Sequence, residues 1–411
     1  MEKLGVGFIG AGFIARFMAE SWRGVRDADI VAVYNHNEDR GLELAGYIQD
    51  LGMKKPKVYD NIWSMLSDPE VDVPWIMTPN FTRIETVEAI VEESLQGSNA
   101  FLGVTCEKPL ARNVKEADRL MNLIGKTDLL HGYLENQVYS PSLIKARDAV
   151  WKHGARGSSR PYLARSSEEH GGPHSSWFWD PTKSGGGVLL DMACHSIEAG
   201  RYLLRDPDKD KNSLNPLKVQ GDISCLKWCR EPYVSRLKEK FGVDYYSAPA
   251  EDYSSVKIIF EDDTGELVIS ETRTSWSYIG PGLRLSFEVL GPEYSVNMNS
   301  LNTDLTAFFS RSISVPESEE FIEKQEGEQG LVPIISNEAI SYGYQSECQH
   351  MIERFKMGEM PSETWDDGYL IIQLMMTAYK SAEQAKTLDF NEKSVKNFIP
   401  RVQKGSWKPT A

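Results

Sequence analysis

The sequence predicts an α/β protein of two domains: a parallel sheet first, then an α+β domain with an antiparallel sheet. Three observations predict it. Residues 4–132 alternate short apolar runs with helical patterns, which builds a parallel sheet covered on both faces. Residues 256–298 hold four strand-like runs with no helix between them, the mark of antiparallel pairing. At 411 residues, the chain also exceeds what one ordinary core supports. The boundaries expected are 1–132 for the first domain, 133–392 for the second and 393–411 for a tail.

The first domain's strands are Leu4–Ile9, Ile30–Tyr34, Val73–Met77, Phe101–Val104 and Leu129–Gly132. Helices at Phe13–Trp22, Arg83–Leu95 and Val114–Leu123 lie between them. Pro74 is tolerable because it falls near a strand start. The second domain opens with helices at Pro141–Trp151 and Gly187–Leu204, then a polar stretch, Arg205–Pro216, that reads as an exposed loop. Strands follow at Val256–Phe260, Glu266–Thr272, Leu283–Leu290 and Tyr294–Met298, and helices return at Tyr344–Met357 and Asp367–Glu383. Lys393–Ala411 carries Pro and Lys and is expected to pack loosely.

Composition excludes several classes of function. A net charge of -15 argues against nucleic acid, whose phosphates need a basic surface. No run approaches the ~18 apolar residues of a membrane-spanning helix. The N-terminal apolar run passes straight into a Gly-rich turn, unlike a secretory leader. The five cysteines are odd in number and irregularly spaced, so reduced thiols in the cytoplasm are expected. Cys225 and Cys229 lack a second Cys or His pair nearby, so no metal site is expected.

Gly10-Ala11-Gly12-Phe13-Ile14-Ala15 fits G-x-G-x-x-A between the first strand and the first helix. The first Gly permits the tight turn, the second lets a pyrophosphate approach the backbone, and the helix N-terminus faces the phosphates. This is the fingerprint of a Rossmann dinucleotide site, and it assigns Gly10, Gly12, Phe13 and Ile14 to the cofactor. Asn35 stands where a ribose-binding acid is expected, and an amide can still bond a ribose hydroxyl. Glu38 and Asp39 would repel a 2′-phosphate, while His36 and Arg40 would attract one. NAD is favoured, with NADP the alternative.

Thr78-Pro79-Asn80 and Cys106-Glu107-Lys108-Pro109 each end a strand, where open α/β sheets place their ligands. Gly185-Gly186-Gly187 opens a helix on which Asp191 and His195 share one face. A carboxylate beside an imidazole raises its basicity and suits a general base. Taken alone, a solvated face is the commoner reading, with Glu198 and Tyr202 continuing the stripe. The preceding loop, residues 170–180, is rich in aromatics and donors. It offers His170, Trp177 and Trp179, with Lys183 just beyond, as sugar contacts, or its Trp residues as core filler.

Together these motifs resemble the Gfo/Idh/MocA oxidoreductases, with Glu251-Asp252 and residues 358–368 extending the match over roughly residues 4–388. The resemblance implies a Rossmann domain followed by an open, mostly antiparallel sheet domain. It places Lys108 by the nicotinamide and substrate, and Asp191 and His195 at the reacting hydroxyl. It also assigns Thr78, Asn80 and Glu107, with Lys108, to the cofactor site. His195 would take the hydroxyl proton, with Lys108 and Asp191 orienting a sugar, glycoside or polyol. Members often pair through the outer face of the second sheet, so a homodimer or homotetramer is expected. The chain departs from common members at Arg83, where many have His, at Ala193-Cys194-His195, which often reads Gly-x-His, and at Glu198, which replaces an Asp. Two rival readings stay open: a glycosidase that uses NAD transiently without net redox change, and a non-catalytic dinucleotide sensor.

Overall fold

The computed structural model describes residues 3–97, 99–310, 322–325 and 329–409. It divides into two compact units, one of residues 1–140 and 342–372, the other of residues 141–341 and 373–411. Tyr342–Ile372, expected in the second domain, therefore returns to the first.

In the first unit, strands β1 (Leu4–Ile9), β2 (Ala28–Tyr34), β3 (Lys57–Tyr59), β4 (Val73–Ile76), β5 (Gly103–Glu107) and β6 (Leu130–Leu134) form one parallel sheet in the order β3-β2-β1-β4-β5-β6. β1 and β4 are buried at every residue, as central parallel strands must be. Pro74 is harmless because β4 pairs with β5 only from Trp75 onward. On one face Trp22 packs edge-on against Phe8 and Trp75, at 5.4 and 5.1 Å between ring centroids. The returning segment covers the edge strand β6. Tyr133 donates its N–H to the Glu363 carbonyl, Trp365 donates its indole N–H to Gly132, and the Trp365 backbone N–H donates to His131 Nδ1.

The second unit is built on a seven-stranded sheet of β7 (Leu163–Glu169), β8 (Leu214–Ser224), β9 (Tyr253–Asp262), β10 (Leu267–Ser275), β11 (Arg284–Gly291), β12 (Tyr294–Asn299) and β15 (Leu388–Asp389). Their order is β12-β11-β7-β10-β9-β8-β15, antiparallel except for the β7–β10 pair. β13 (Leu305–Phe309) and β14 (Gly330–Ile334) form a separate two-stranded ribbon. Alternate residues of β9 and β11 are buried, and the helix Val188–Leu204 lies on β7 and β10. A Cβ on Gly200 would sit 2.3 Å from Ser270 Oγ, so this glycine sets how closely helix and sheet approach.

Several expectations are corrected. Strand β8 begins inside the stretch read as an exposed loop. Its Pro216 sits where the β8–β9 register slips, so the missing N–H falls at a bulge. The first helix of the unit ends at Asp148 and continues as π-helix over Ala149–Ala155. Residues 393–409 are anchored, with Val395 and Val402 fully buried and Lys408 donating to the Ser247 carbonyl. Cys225 and Cys229 form a disulfide in place of two reduced thiols. Their chain separation of four closes a tight loop and leaves the Cα atoms 5.8 Å apart, the span a disulfide needs. Cys106, Cys194 and Cys348 are free and buried. Among the described residues no helix is long and apolar enough to cross a membrane.

Candidate active site

The sheet order of the first unit reverses between β1 and β4, so the carboxyl ends of β1, β4 and β5 lie side by side. Gly10 has φ +110, and a Cβ there would lie 2.8 Å from the Met77 carbonyl oxygen, so only glycine fits. Gly12, at the N-cap of the Phe13–Trp22 helix, has no side-chain cap, and a Cβ built on it would meet nothing within 4 Å. Thr78 Oγ1 is buried and bonds no described residue. An open position before Gly12, an uncapped ten-residue helix and an orphaned hydroxyl at one sheet edge fit a dinucleotide pyrophosphate and its ribose. Asn35 serves this turn from within. Its Oδ1 accepts from Ala11 N–H at 3.2 Å and its Nδ2 donates to Asn37 O at 2.8 Å, using one of its two N–H groups.

At the end of β5, Lys108 is half-buried, and its backbone N–H donates to Glu107 Oε2 at 3.1 Å. The buried Arg83 donates Nη2 to the Lys108 carbonyl at 3.0 Å. Asn80 is buried on the adjoining turn. Burial pushes the Glu107 carboxyl up to about 7, against the pull of Lys108 and Arg83. It pushes Glu135 up to about 8, again opposed by Lys108. The sequence reading missed Glu135. Its signal was positional, since it directly follows β6, the neighbour of β5, at the same sheet edge.

In the second unit, Asp191 and His195 are only 8% and 4% exposed, so the solvated-face reading of this stripe does not hold. Glu198 is also buried and pairs with Arg201, Nε to Oε2 at 2.7 Å. The helix that carries them is pinned at its start by Glu251, whose Oε1 accepts from Gly187 N–H (2.9 Å), Leu189 N–H (3.1 Å) and Tyr379 Oη (2.6 Å). The glycine triplet exists for this packing. Gly185 is left-handed at φ +101, a Cβ on Gly186 would strike the Tyr379 hydroxyl, and one on Gly187 would strike the Glu251 backbone. Burial pushes Glu251 up to about 7, opposed by the Tyr379 hydrogen bond and the backbone donors.

The aromatic loop divides its labour. Trp179 is core: its indole donates to Pro173 O, and its ring packs on Trp228, Trp276, Tyr245 and Phe241, so it has no face left for a sugar. His170 is buried, with Nδ1 accepting from Gly172 N–H. Trp177 stacks on Phe178 at 3.8 Å and stays half-exposed, while Lys183 is exposed and paired with Asp180.

Residues 4–133 match the model of an oxidoreductase family with an NAD-binding Rossmann fold, and residues 153–296 match the GFO/IDH/MocA C-terminal domain. Myo-inositol 2-dehydrogenase of Thermotoga maritima is 23% identical over 94% of this chain and 98% of its own length. Levoglucosan dehydrogenase of Pseudarthrobacter phenanthrenivorans is 28% identical over 50% of this chain and 52% of its own. Two solved structures share the fold. GenD2 from gentamicin A biosynthesis, in complex with NAD, has TM-score 0.75 at 22% identity, covering 95% of this chain and 97% of its own. A levoglucosan dehydrogenase complex with NADH and levoglucosan has TM-score 0.68 at 19% identity, covering 95% and 100%.

The Glu251 contacts generate two predictions. Because its folded-state proton affinity is raised, Glu251 ionises at a cost to folding. Stability should fall as pH rises from its ordinary value of 4.5 to about 7, at up to ~1.4 kcal/mol per pH unit. Glu251→Gln keeps the acceptor but cannot ionise, so melting curves across that window should show a shallower pH dependence than wild type. Gly187→Ala forces a Cβ to within 2.1 Å of the Glu251 carbonyl oxygen, and should lower stability by roughly 1–3 kcal/mol with loss of turnover.

Proposed function

The chain belongs to the GFO/IDH/MocA oxidoreductases, and from that membership we propose that it oxidises or reduces one carbinol carbon of a sugar, glycoside or cyclitol with NAD. The observation that carries this reading is the burial of Asp191 and His195 on one face of a helix fixed at its start by Glu251. Burying a carboxylate and an imidazole costs stability and does nothing for packing that apolar residues would not do better. Net-redox relatives such as myo-inositol 2-dehydrogenase and levoglucosan dehydrogenase support the substrate class.

Bound NAD supplies the hydride acceptor or donor. The chain's own residues handle the proton and the charge. His195 takes the hydroxyl proton in oxidation and returns it in reduction, while Asp191 orients the imidazole and the substrate. The Lys108 ammonium offsets negative charge developing on the reacting oxygen, and Arg83 steadies the backbone behind it. Gly10, Gly12, Phe13 and Ile14 receive the pyrophosphate, Thr78 and Asn80 the nicotinamide side, and Asn35 the adenosine ribose. Trp177 is the loop tryptophan open to a sugar face, being half-exposed where Trp179 is not.

Two experiments test this. His195→Ala should cut turnover by at least ~100-fold while NAD affinity, read by fluorescence titration, is unchanged. Near wild-type activity would remove His195 from the proton transfer. Separately, reduced-nicotinamide absorbance should grow when the purified protein meets NAD and one member of a panel of sugars, glycosides and inositols. A panel that yields cleaved glycoside but no reduced cofactor would replace net redox with transient oxidation.

A further inference from the structure

Three tryptophans of the second unit meet around Trp179: Trp179 itself, Trp228 and Trp276. A buried indole N–H needs an acceptor, and two of the three take backbone carbonyls, Trp179 from Pro173 and Trp228 from Trp276. The third does not. Trp276 Nε1 donates to Asp191 Oδ2 at 3.3 Å, and Trp276 is fully buried. This indole is also held from several sides. Its backbone N–H donates to the Asp252 carbonyl at 2.8 Å, its carbonyl accepts the Trp228 indole N–H at 2.9 Å, and its ring lies 5.0 Å from that of Trp179. Asp252 in turn accepts from the backbone N–H groups of Leu226, Lys227 and Trp228, the loop that the Cys225–Cys229 disulfide closes.

We infer that Trp276 is a positioning residue for the reaction, its indole N–H fixing the rotamer of Asp191 through one carboxylate oxygen. The inference rests on the proposed role of Asp191. A carboxylate that orients a base must present a chosen oxygen, and a donor that cannot swing away selects which oxygen that is. Trp276 makes this choice without touching substrate, so its loss acts on the rate of the bound complex and leaves the affinity of substrate alone. The pairing also accounts for a Trp directly after β10, where a Phe would offer an aromatic ring without the donor.

Trp276→Phe tests the inference, measured with NAD and the sugar that turns over, beside Trp228→Phe, Asp191→Ala and the Trp276→Phe/Asp191→Ala double variant. Trp276→Phe should lower kcat about tenfold with KM and NAD affinity within twofold of wild type, the size expected for one lost donor to a carboxylate. Trp228→Phe deletes an indole hydrogen bond of the same cluster that ends on a backbone carbonyl, and should keep kcat within twofold. If both Phe variants lose kcat alike, or Trp276→Phe loses none, Trp276 has only a packing role. In the double variant the Trp276 change should add no further loss to that of Asp191→Ala, because it acts only through that carboxylate. A further loss there overturns the inference even if Trp276→Phe melts early, since the cycle compares variants with the same ring change. Should Asp191→Ala itself retain full activity, the failure lies with the proposed role of Asp191.

Discussion

The Glu251 carboxylate accepts from two backbone N–H groups at the start of the Val188–Leu204 helix and from the Tyr379 hydroxyl, with its side chain wholly buried. Taking a carboxylate out of water costs several kcal/mol, and these bonds with the helix dipole offset it only in part, and only while the geometry holds. That requirement propagates. Gly186 and Gly187 must lack side chains, the chain must turn left-handed at Gly185, and β9 must begin two residues after Glu251 to bring it to the helix. Asp191 and His195 inherit their positions from this junction, one and two turns along.

The first unit solves a related problem with different means. Its candidate site groups stand at strand ends of a parallel sheet, where backbone position is set by the neighbours on each side. Lys108 is half-buried, and Arg83 with Glu107 grips the peptide on both sides of it. Arg83 also carries a permanent charge. That charge, with Lys108, opposes the rise that burial imposes on Glu107.

Legibility in the sequence followed the strength of local signals. The G-x-G-x-x-A turn, the parallel strands and the helix with Asp191 and His195 were readable, because glycine positions and apolar runs report backbone geometry directly. β7 was not: its inward residues are Ala164, Ser166 and Glu168, so no apolar alternation marks it. β8 was hidden by Pro216 and Gly221, breaker residues that tertiary context absorbs at a bulge and at a close approach to Ala378. The return of Tyr342–Ile372 to the first unit depends on packing between segments far apart in sequence. So does the core position of Trp179. A loop rich in aromatics reads the same whether the rings face a ligand or one another.

Asn35 shows how a departure from a motif can be an internal requirement. An acid at the end of β2 would accept from Ala11 N–H as well as an amide does, but it could not donate to the Asn37 carbonyl. Asn37 is itself the N-cap of the Glu38–Asp50 helix, its side chain accepting from Arg40 N–H. The amide thus ties the phosphate turn to the start of the next helix, with donor and acceptor both needed. A carboxylate offers a ribose diol two acceptors, and this amide has a single N–H left. Asn35 is therefore committed on both sides to the backbone of its own turn, and the charges next to it, Glu38 and Asp39, belong to the first turn of the helix that Asn37 caps.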